Sequence, residues 1–422
     1  MKFKKTTLEN GLRIITAPMK DTQTVTVFAM VGVGSRYEND KERGISHFIE
    51  HMMFKGTKKR PNTQVIASEL DAIGGEYNAF TGKSATAYYA KSDAKHLDTT
   101  LDVIADMLIN SKFDAKEINR ERGTILQELN MYEDMPMRSV EDIFESLLYG
   151  DQKLGREVIG IKETINGVKR KDFLDYMKRF YVSGDTVVGV AGKIDEKEIV
   201  EKIEKLFSGF NEGAKTDFER VAENQKTPQI KIKNKKTDQT HLVLGVRAYN
   251  DDHEDKYALN LLSIILGGNM SSRLFINVRE RQGLAYYIHT SADAYKDAGY
   301  LATSAGVEHK NLIKTVEIIL KEYKKIATKK VSKDELKKAK EFIKGKSVMG
   351  LESSDSVASF LVSQEISRDK ILTPKEIFRK IDKVTEEDIL RVAKDIFANE
   401  KLNLAIIGPH KVSQELKSVL KF

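Results

Sequence analysis

The sequence contains no cysteine, which excludes disulfide bonds and every metal site built on sulfur ligands. A zinc site must therefore use histidine and carboxylate side chains. No apolar run approaches the roughly 18 residues that a membrane-spanning helix requires, and no apolar signal core follows the basic segment Met1–Thr7. We expect a soluble cytoplasmic protein without membrane association, although a targeting segment removed by processing would leave the same sequence.

Strongly basic segments are also missing. The net charge is only +7, with 70 Lys and Arg against 63 Asp and Glu, and both signs are interleaved along helix-like segments, where they form solvated faces. No helix or loop concentrates basic residues beside aromatic ones, so we expect no nucleic-acid partner. The Gly32-Val33-Gly34 segment lacks the remaining spacing of a phosphate-binding loop and is interpreted as a turn.

The most informative stretch is His47-Phe48-Ile49-Glu50-His51, within the apolar, helix-like run 44–54. In a helix, His47 and His51 are one turn apart on one face, so both imidazoles can reach one metal ion. Glu50 lies beside them, where a carboxylate can take a proton from water during peptide hydrolysis. This HxxEH pattern is the inverted form of the zinc-peptidase pattern HExxH. A catalytic zinc site usually has three protein ligands, so a third must lie elsewhere.

The helix-like segment 115–131 carries carboxylates that can supply this ligand. Glu121 and Glu128 are two turns apart on one face, and Glu117 lies one turn before Glu121. Glu117 fits a solvated, charged helix surface. Glu128 stands in the apolar run 125–129, where a carboxylate is hard to stabilise without a cation. This setting favours Glu128 as the third ligand.

Strand-like segments mixed with long amphipathic helices predict an α+β fold, with helices packed on mostly antiparallel sheets. In the first half, the predicted strands are 13–17, 24–33, 76–81, 85–91 and 186–191, and the clearest helices are 97–109 and 115–131. A loop-like composition at residues 208–228 marks a boundary. We predict a zinc-binding domain at 1–213, a linker at 214–228 and a second domain at 229–422.

The second domain is predicted to be a degenerate copy of the first. Similar segments recur at nearly constant offsets in the numbering, namely 216 (239 minus 23), 218 (332 minus 114) and 216 (384 minus 168). The paired segments are 23–28 with 239–244, 114–118 with 332–336, and 168–173 with 384–389. The counterpart of the helix-like run 44–54 lies near Ala258–Gly268, and it has Leu259, Leu262 and Ser263 in place of the two histidines and the glutamate. Only the first copy is therefore predicted to bind metal in this way.

Three segments together resemble the pitrilysin-like zinc peptidases, which include the mitochondrial processing peptidases and insulin-degrading enzymes. They are His47–Thr57, Glu121-Arg122 with Glu128, and Arg279–Tyr286. In that family the third zinc ligand is a Glu at a similar distance after the second His, and here Glu128 follows His51 at an offset of 77 (128 minus 51). The resemblance implies one Zn²⁺ per chain, held by His47, His51 and Glu128. It also implies that Glu121 supports the site, since a ligating imidazole usually donates its other N–H to a carboxylate.

The resemblance assigns further residues to substrate. It implies that Arg279 holds the substrate backbone and that Tyr286 stabilises the oxyanion of the tetrahedral intermediate. The strand 76–81 resembles the family's edge strand, on which the peptide lies as an added strand, with Asn78 and Ala79 as the contact positions. The remaining histidines have no partners at ligand spacing and are interpreted as surface or structural residues; they are His96, His241, His253, His289, His309 and His410.

The sequence therefore predicts a zinc metalloendopeptidase acting on peptides or unfolded segments. Family members enclose substrate between two such two-domain units, so the chain is expected to form half of a clamshell. Because the zinc pattern and the Arg/Tyr pair occur in one chain, we expect a homodimer with the pair contributed across the interface. The alternatives are a silent or structural subunit, a heterodimer with a separately encoded partner, and a narrow enzyme that trims one leader peptide.

Overall fold

The computed structural model describes residues 1–368 and 370–422, which form two compact units. The first unit comprises Met1–Leu129, Arg156–Glu219 and Ser347–Pro374, and the second comprises Asn130–Gly155, Arg220–Lys346 and Lys375–Phe422. The units cut across the sequence ranges 1–213 and 229–422 predicted above, and residues 214–228 are divided between them.

The chain mixes strands with runs of consecutive helices. The strands are β1 (Lys4–Thr7), β2 (Arg13–Pro18), β3 (Thr24–Val31), β4 (Glu76–Thr81), β5 (Thr86–Asp93), β6 (Thr186–Gly192), β7 (Gln229–Asn234), β8 (Thr240–Ala248), β9 (Ala285–Ala294), β10 (Gly299–Val307) and β11 (Leu402–Gly408). The helices are α1 (Ile45–Met53), α2 (Thr63–Asp71), α3 (Leu97–Asn110), α4 (Ala115–Glu133), α5 (Pro136–Tyr149), α6 (Lys162–Gly167), α7 (Arg170–Phe180), α8 (Glu196–Leu206), α9 (Lys256–Gly267), α10 (Leu312–Thr328), α11 (Lys333–Met349), α12 (Ser354–Ser367), α13 (Pro374–Lys383), α14 (Glu386–Ile396) and α15 (Gln414–Val419).

Each unit contains one mixed sheet. The first has the order β1-β2-β6-β3-β5-β4, and the second has the order β7-β11-β8-β10-β9. The pairs β2/β6 and β7/β11 are parallel, and the other neighbours are antiparallel. Central strands β3, β6 and β11 are rich in Val, Ile and Ala and are buried, as expected for strands covered on both faces. The predicted α+β class with mostly antiparallel sheets is confirmed.

The two sheets follow one plan. β6 and β11 are equal in length, and their first residues differ in number by 216 (402 minus 186); β3 and β8 begin at the same offset (240 minus 24). In both sheets these two strands are adjacent at the centre. The predicted duplication is thus present as a repeated strand order, which supports two copies of one fold.

The helices α5 and α12 explain why the units cut across the sequence halves. Their first residues differ in number by 218 (354 minus 136), so the two helices occupy equivalent places in the repeat. α5, from the first half, packs on β8 and β11, whereas α12, from the second half, packs on β3 and β6. Each sheet is therefore completed by a helix from the other copy. Strand and helix periodicity cannot predict this exchange, because both arrangements bury the same side chains.

Gly189 in β6 allows α12 to approach the first sheet closely. A Cβ atom at this position would lie 2.3 Å from Cγ2 of Val362 in α12, well inside van der Waals contact. Phe28, Val187 and Leu361 belong to the buried cluster between this face and the helix. The opposite face of the sheet is covered by α1, α3 and α8. The metal helix α1 and the exchanged helix α12 thus lie on different faces of one sheet.

Across the described parts of the chain, no helix combines the length and the apolar character needed to cross a membrane.

Candidate metal centre

The metal helix α1 begins at a residue that only glycine fits well. Gly44 has φ +91°, and a Cβ there would lie 2.5 Å from the carbonyl oxygen of Ile159. The first N–H groups of the helix are satisfied by the buried carboxyl of Glu38, which accepts from Gly44 N at 2.8 Å and Ser46 N at 2.9 Å. Glu38 therefore fixes the start of the helix, Ile45, two residues before His47.

Burial raises the pKa of Glu38 to about 7, against an ordinary value of 4.5. The raised value means that this group contributes stability that is fully present below about pH 4.5 and is lost as pH rises through about 7. The lost contribution amounts to about 3 kcal/mol at about 1.4 kcal/mol per pKa unit. Since Gln cannot ionise, Glu38→Gln should gain stability relative to the unmutated chain across this window. Urea unfolding of both proteins at pH 4.5, 6 and 8 measures the difference, and a difference that does not vary with pH would contradict this prediction.

The structure brings His47, His51 and Glu128 together. Nε2 of His47 lies 3.6 Å and Nε2 of His51 lies 3.5 Å from the same oxygen, Oε2 of Glu128. Within residues 1–368 and 370–422, these three residues are the group whose ligand atoms converge within 4.8 Å. The two histidines come from adjacent turns of α1, and Glu128 comes from α4.

The donor set fits a zinc ion. Ligands bound tetrahedrally to one zinc ion at about 2.0 to 2.2 Å stand about 3.3 to 3.6 Å apart, which is the separation between each imidazole nitrogen and Oε2 of Glu128. Burial, together with the charge of His51, lowers the pKa of His47 to about 4. At neutral pH the His47 ring is therefore uncharged and able to offer a lone pair to a metal ion.

Glu121 orients His51 from the side away from this cluster. Nδ1 of His51 donates to Oε1 of Glu121 at 2.8 Å, which leaves Nε2 as the ligating nitrogen. Nζ of Lys55 lies 2.6 Å from the other oxygen of Glu121. Burial by itself would raise the pKa of Glu121, but the hydrogen bonds from His51 and Lys55 outweigh it and lower the pKa. Glu121 thus stays ionised beside the ring that it orients.

Glu121→Gln should weaken zinc binding on the order of 10- to 100-fold, because the neutral amide holds the His51 ring less firmly and leaves Lys55 without its carboxylate. Competition with a chelator of known affinity measures the zinc dissociation constant. Glu117→Gln is the matched control, since Glu117 lies one turn earlier on α4 and pairs with Arg120 at the surface. Equal zinc affinity in the Glu121 variant and the unmutated chain would show that Glu121 does not orient the ligand.

Glu50 lies beside the ligands without belonging to the three-residue group. Its Oε2 accepts a hydrogen bond of 2.6 Å from the Thr81 hydroxyl, at the end of β4. Burial raises the pKa of Glu50, and the Thr81 bond opposes this shift only in part. A carboxylate with a raised pKa, held in one orientation, suits the task of accepting a proton near neutral pH.

The predicted substrate strand β4 is an edge strand. It is the last strand of the first sheet, and in the described part of the chain β4 pairs with β5 alone, so its other edge has no neighbouring strand. The N–H of Ala79 donates to Oδ1 of Asn78 at 2.9 Å, which indicates that this N–H is directed to the open edge. Asn78 and Ala79 therefore lie where an added peptide strand would meet the sheet.

Arg279 and Tyr286 lie in the second unit and contact each other. The guanidinium carbon of Arg279 is 5.7 Å from the Tyr286 ring centroid and 4.8 Å from that of Phe275. Arg279 belongs to a short π-helix, Phe275–Glu280, a distortion that is frequent at functional sites. Tyr286 is 77% exposed. The substrate roles implied for this pair stay predictions.

The sequence interpretation missed three neighbours of the site. Lys55 follows His51 by four residues, so helical spacing alone could have placed it on the same side as His51. Thr81 acts through a tertiary contact with Glu50, for which local sequence carries no signal, and Glu38 acts across the short loop before α1. Three of the histidines outside α1 have structural contacts: His309 and His410 share the Thr240 hydroxyl, and His253 stacks on Tyr249.

Both copies of the repeat match described protein families. Residues 13–162 match the family described as insulinase (peptidase family M16), and residues 167–343 match the peptidase M16 inactive domain. The second description agrees with the missing ligands in α9, where Leu259, Leu262 and Ser263 are buried. These two regions are consecutive and cover most of the chain.

Relatives and solved structures agree with this assignment. The chain is 35% identical over 408 residues to the uncharacterized zinc protease YmxG of Bacillus subtilis, covering 96% of this chain and 98% of that protein. It is 36% identical over 415 residues to an uncharacterized zinc protease of Rickettsia felis, covering 97% and 98%. A protease from Helicobacter pylori has the same fold, with a TM-score of 0.90 at 22% identity over 97% of this chain and 99% of that chain. The chain therefore belongs to peptidase family M16.

Proposed function

We propose that this protein is a zinc-dependent metalloendopeptidase that hydrolyses peptides or unfolded polypeptide segments. One observation carries the proposal: two imidazole nitrogens and a carboxylate oxygen converge, with a further carboxylate, Glu50, beside them. The similarity to proteins named zinc proteases supports the same chemistry. A silent family member would be expected to lack some of these groups, and this chain keeps all of them.

The residues divide the chemistry among them. His47, His51 and Glu128 would hold the zinc ion, which when bound lowers the pKa of a water molecule and polarises the substrate carbonyl. Glu50 accepts the proton of the attacking water and delivers it to the leaving amine. Thr81 keeps the Glu50 carboxylate in one orientation, and Glu121 does the same for the His51 ring.

The substrate is proposed to bind mainly through its backbone. A peptide strand added to β4 would form main-chain hydrogen bonds at Ala79, after the Asn78 side chain releases that N–H. Backbone pairing accepts many sequences but requires an extended chain, so folded proteins would be poor substrates. Arg279 is proposed to hold the substrate backbone, and Tyr286 to donate to the oxyanion of the tetrahedral intermediate.

Metal removal tests the activity itself. The purified chain, loaded with zinc, should cleave a mixed peptide library; a chelator should abolish cleavage, and added zinc should restore it. Mass spectrometry identifies the products, and elemental analysis should find about one zinc ion per chain. Bound zinc without hydrolysis would instead indicate a peptidase that requires a separately encoded partner. Failure to bind stoichiometric zinc would indicate a silent subunit.

We further propose a homodimer in which Arg279 and Tyr286 act on the zinc site of the other copy. Mixing Glu50→Gln chains with Tyr286→Phe chains tests this arrangement, because a mixed dimer would contain one site with both unmutated residues. Each variant alone should be nearly inactive, and exchange between them should restore hydrolysis. Mixed dimers that stay inactive, or an active monomer in size-exclusion chromatography, would refute the shared site.

A further inference from the structure

A largely apolar cavity of about 500 Å³ opens beside the proposed substrate strand, on the face of the sheet away from the metal helix. Its sheet side is formed by aromatic residues of three neighbouring strands, Phe28, Phe80 and Tyr89. Phe28 is stacked on Tyr89 at 5.5 Å between ring centroids and lies 6.3 Å from Phe80. The other side is formed by α12 and the turn before it, including Ser359 and Phe360.

Successive side chains of β4 point to opposite faces of the sheet, and the cavity and the metal centre lie on different faces. Thr81 contacts Glu50 of α1, and the Tyr77 ring is 6.3 Å from that of Phe54, which follows α1. These side chains therefore point toward the metal helix. Phe80 points to the opposite face, and although it is a large apolar residue it is 43% exposed. The edge strand thus presents an unshielded aromatic side chain next to an open cavity.

A peptide strand paired with β4 would continue the same alternation. Side chains of an added strand lie next to those of its neighbour on the same face, so every second residue of the peptide would lie beside Asn78 or Phe80. Strand-addition sites commonly take their specificity from pockets for alternate side chains. A peptide side chain placed beside Phe80 would lie at the opening of this cavity.

We propose that this cavity is a specificity pocket for a large apolar side chain of the substrate. The inference rests on the proposed function, because it takes the occupant to be a peptide paired with β4. The aromatic rings would contact an aromatic or branched aliphatic side chain. A negatively charged side chain would be disfavoured, because the described residues that line the cavity include no Lys, Arg or His, and the nearby Lys91 is paired with Asp355 at 3.1 Å. The preferred substrates are therefore peptides with a large apolar residue at one fixed position relative to the cleaved bond.

The experiment moves a single Phe one position at a time through an otherwise Ala- and Ser-rich peptide, and measures kcat/KM for the same cleaved bond. Phe should raise kcat/KM on the order of tenfold at the position that reaches the cavity.

Two variants test the cavity from opposite walls: Phe80→Ala removes contact surface, and Ser359→Phe fills the space. Both variants should abolish the preference for Phe at that position. Neither should change kcat/KM for peptides with Phe at the positions whose side chains point to the opposite face of the sheet. Leu174→Ala, which shortens a partly exposed apolar residue elsewhere in the first unit, should have no effect.

Binding of the same peptides to zinc-loaded Glu50→Gln, followed by fluorescence anisotropy, separates this proposal from the proposed function. Should the unmutated chain fail to hydrolyse any peptide, tighter binding of Phe peptides that depends on Phe80 and Ser359 would still support the pocket. Hydrolysis or binding that is indifferent to the Phe position would overturn the pocket. Loss of activity at every position in the Phe80 variant would assign Phe80 to strand integrity and also overturn it.

Discussion

The Glu50→Gln variant is expected to bind zinc as the unmutated chain does and to lose peptide hydrolysis by a factor on the order of 100 to 10,000. Gln has the size and shape of Glu, and its carbonyl oxygen can still accept the hydrogen bond that the Thr81 hydroxyl makes at 2.6 Å. The amide cannot accept a proton, so the attacking water would keep its proton. The ligand group His47, His51 and Glu128 does not include this side chain, so the variant separates catalysis from metal binding.

Elemental analysis of zinc and mass-spectrometric detection of cleaved peptides measure the two properties on one sample. Glu117→Gln makes the same chemical change at the surface end of α4 and should alter neither property. A Glu50 variant that still hydrolyses peptides at the unmutated rate would show that another group takes the proton. A variant that has lost its zinc would show that Glu50 supports the metal site, and the assignment of the base would then be wrong.

The site was predictable from sequence to the extent that it is local. His47, Glu50 and His51 lie close together in one helix, and helical geometry alone brings their side chains to one face. Glu128 required a second argument, from a carboxylate in an apolar run, and the structure places its Oε2 within 3.6 Å of both imidazoles. The strand-like segment 76–81, with turn residues on both sides, was likewise predicted and is β4 in the structure.

Other features depend on contacts between distant segments, and no local pattern predicts them. The exchange of α5 and α12 leaves each helix with an apolar face and changes only which sheet covers it. The aromatic cavity lies between Phe80 of the first sheet and α12, which comes from the other copy. The fold class follows from periodicity, but the partner of each face does not.

Arg60 is a charged example of such a tertiary feature. Although it is only 2% exposed, it contacts three carboxylates of two helices that follow the metal helix. Nη1 lies 2.9 Å from Asp106, Nη2 lies 2.5 Å from Asp102, and both Nε and Nη2 contact Glu69 at 2.8 and 2.7 Å. Asp106, 5% exposed, also accepts from Thr57. The guanidinium fork thus joins α2 and α3 to the loop that leaves α1.

Arg60→Met should lower the free energy of unfolding by about 3 to 5 kcal/mol, because it leaves the Asp106 carboxylate buried without its cation. The neighbouring Lys59→Met is the matched control: Lys59 pairs with the same Asp102 but its side chain is 59% exposed, so its loss should cost less than about 1 kcal/mol.

Chemical unfolding of the zinc-free proteins measures the free energy of unfolding of both variants, since bound metal would mask the change. Replacing Asp106 by Leu in the Arg60→Met background should recover part of the loss, because the uncompensated charge is then removed. Equal effects at positions 59 and 60 would mean that the buried charges are reached by water and that the network contributes no more than a surface ion pair.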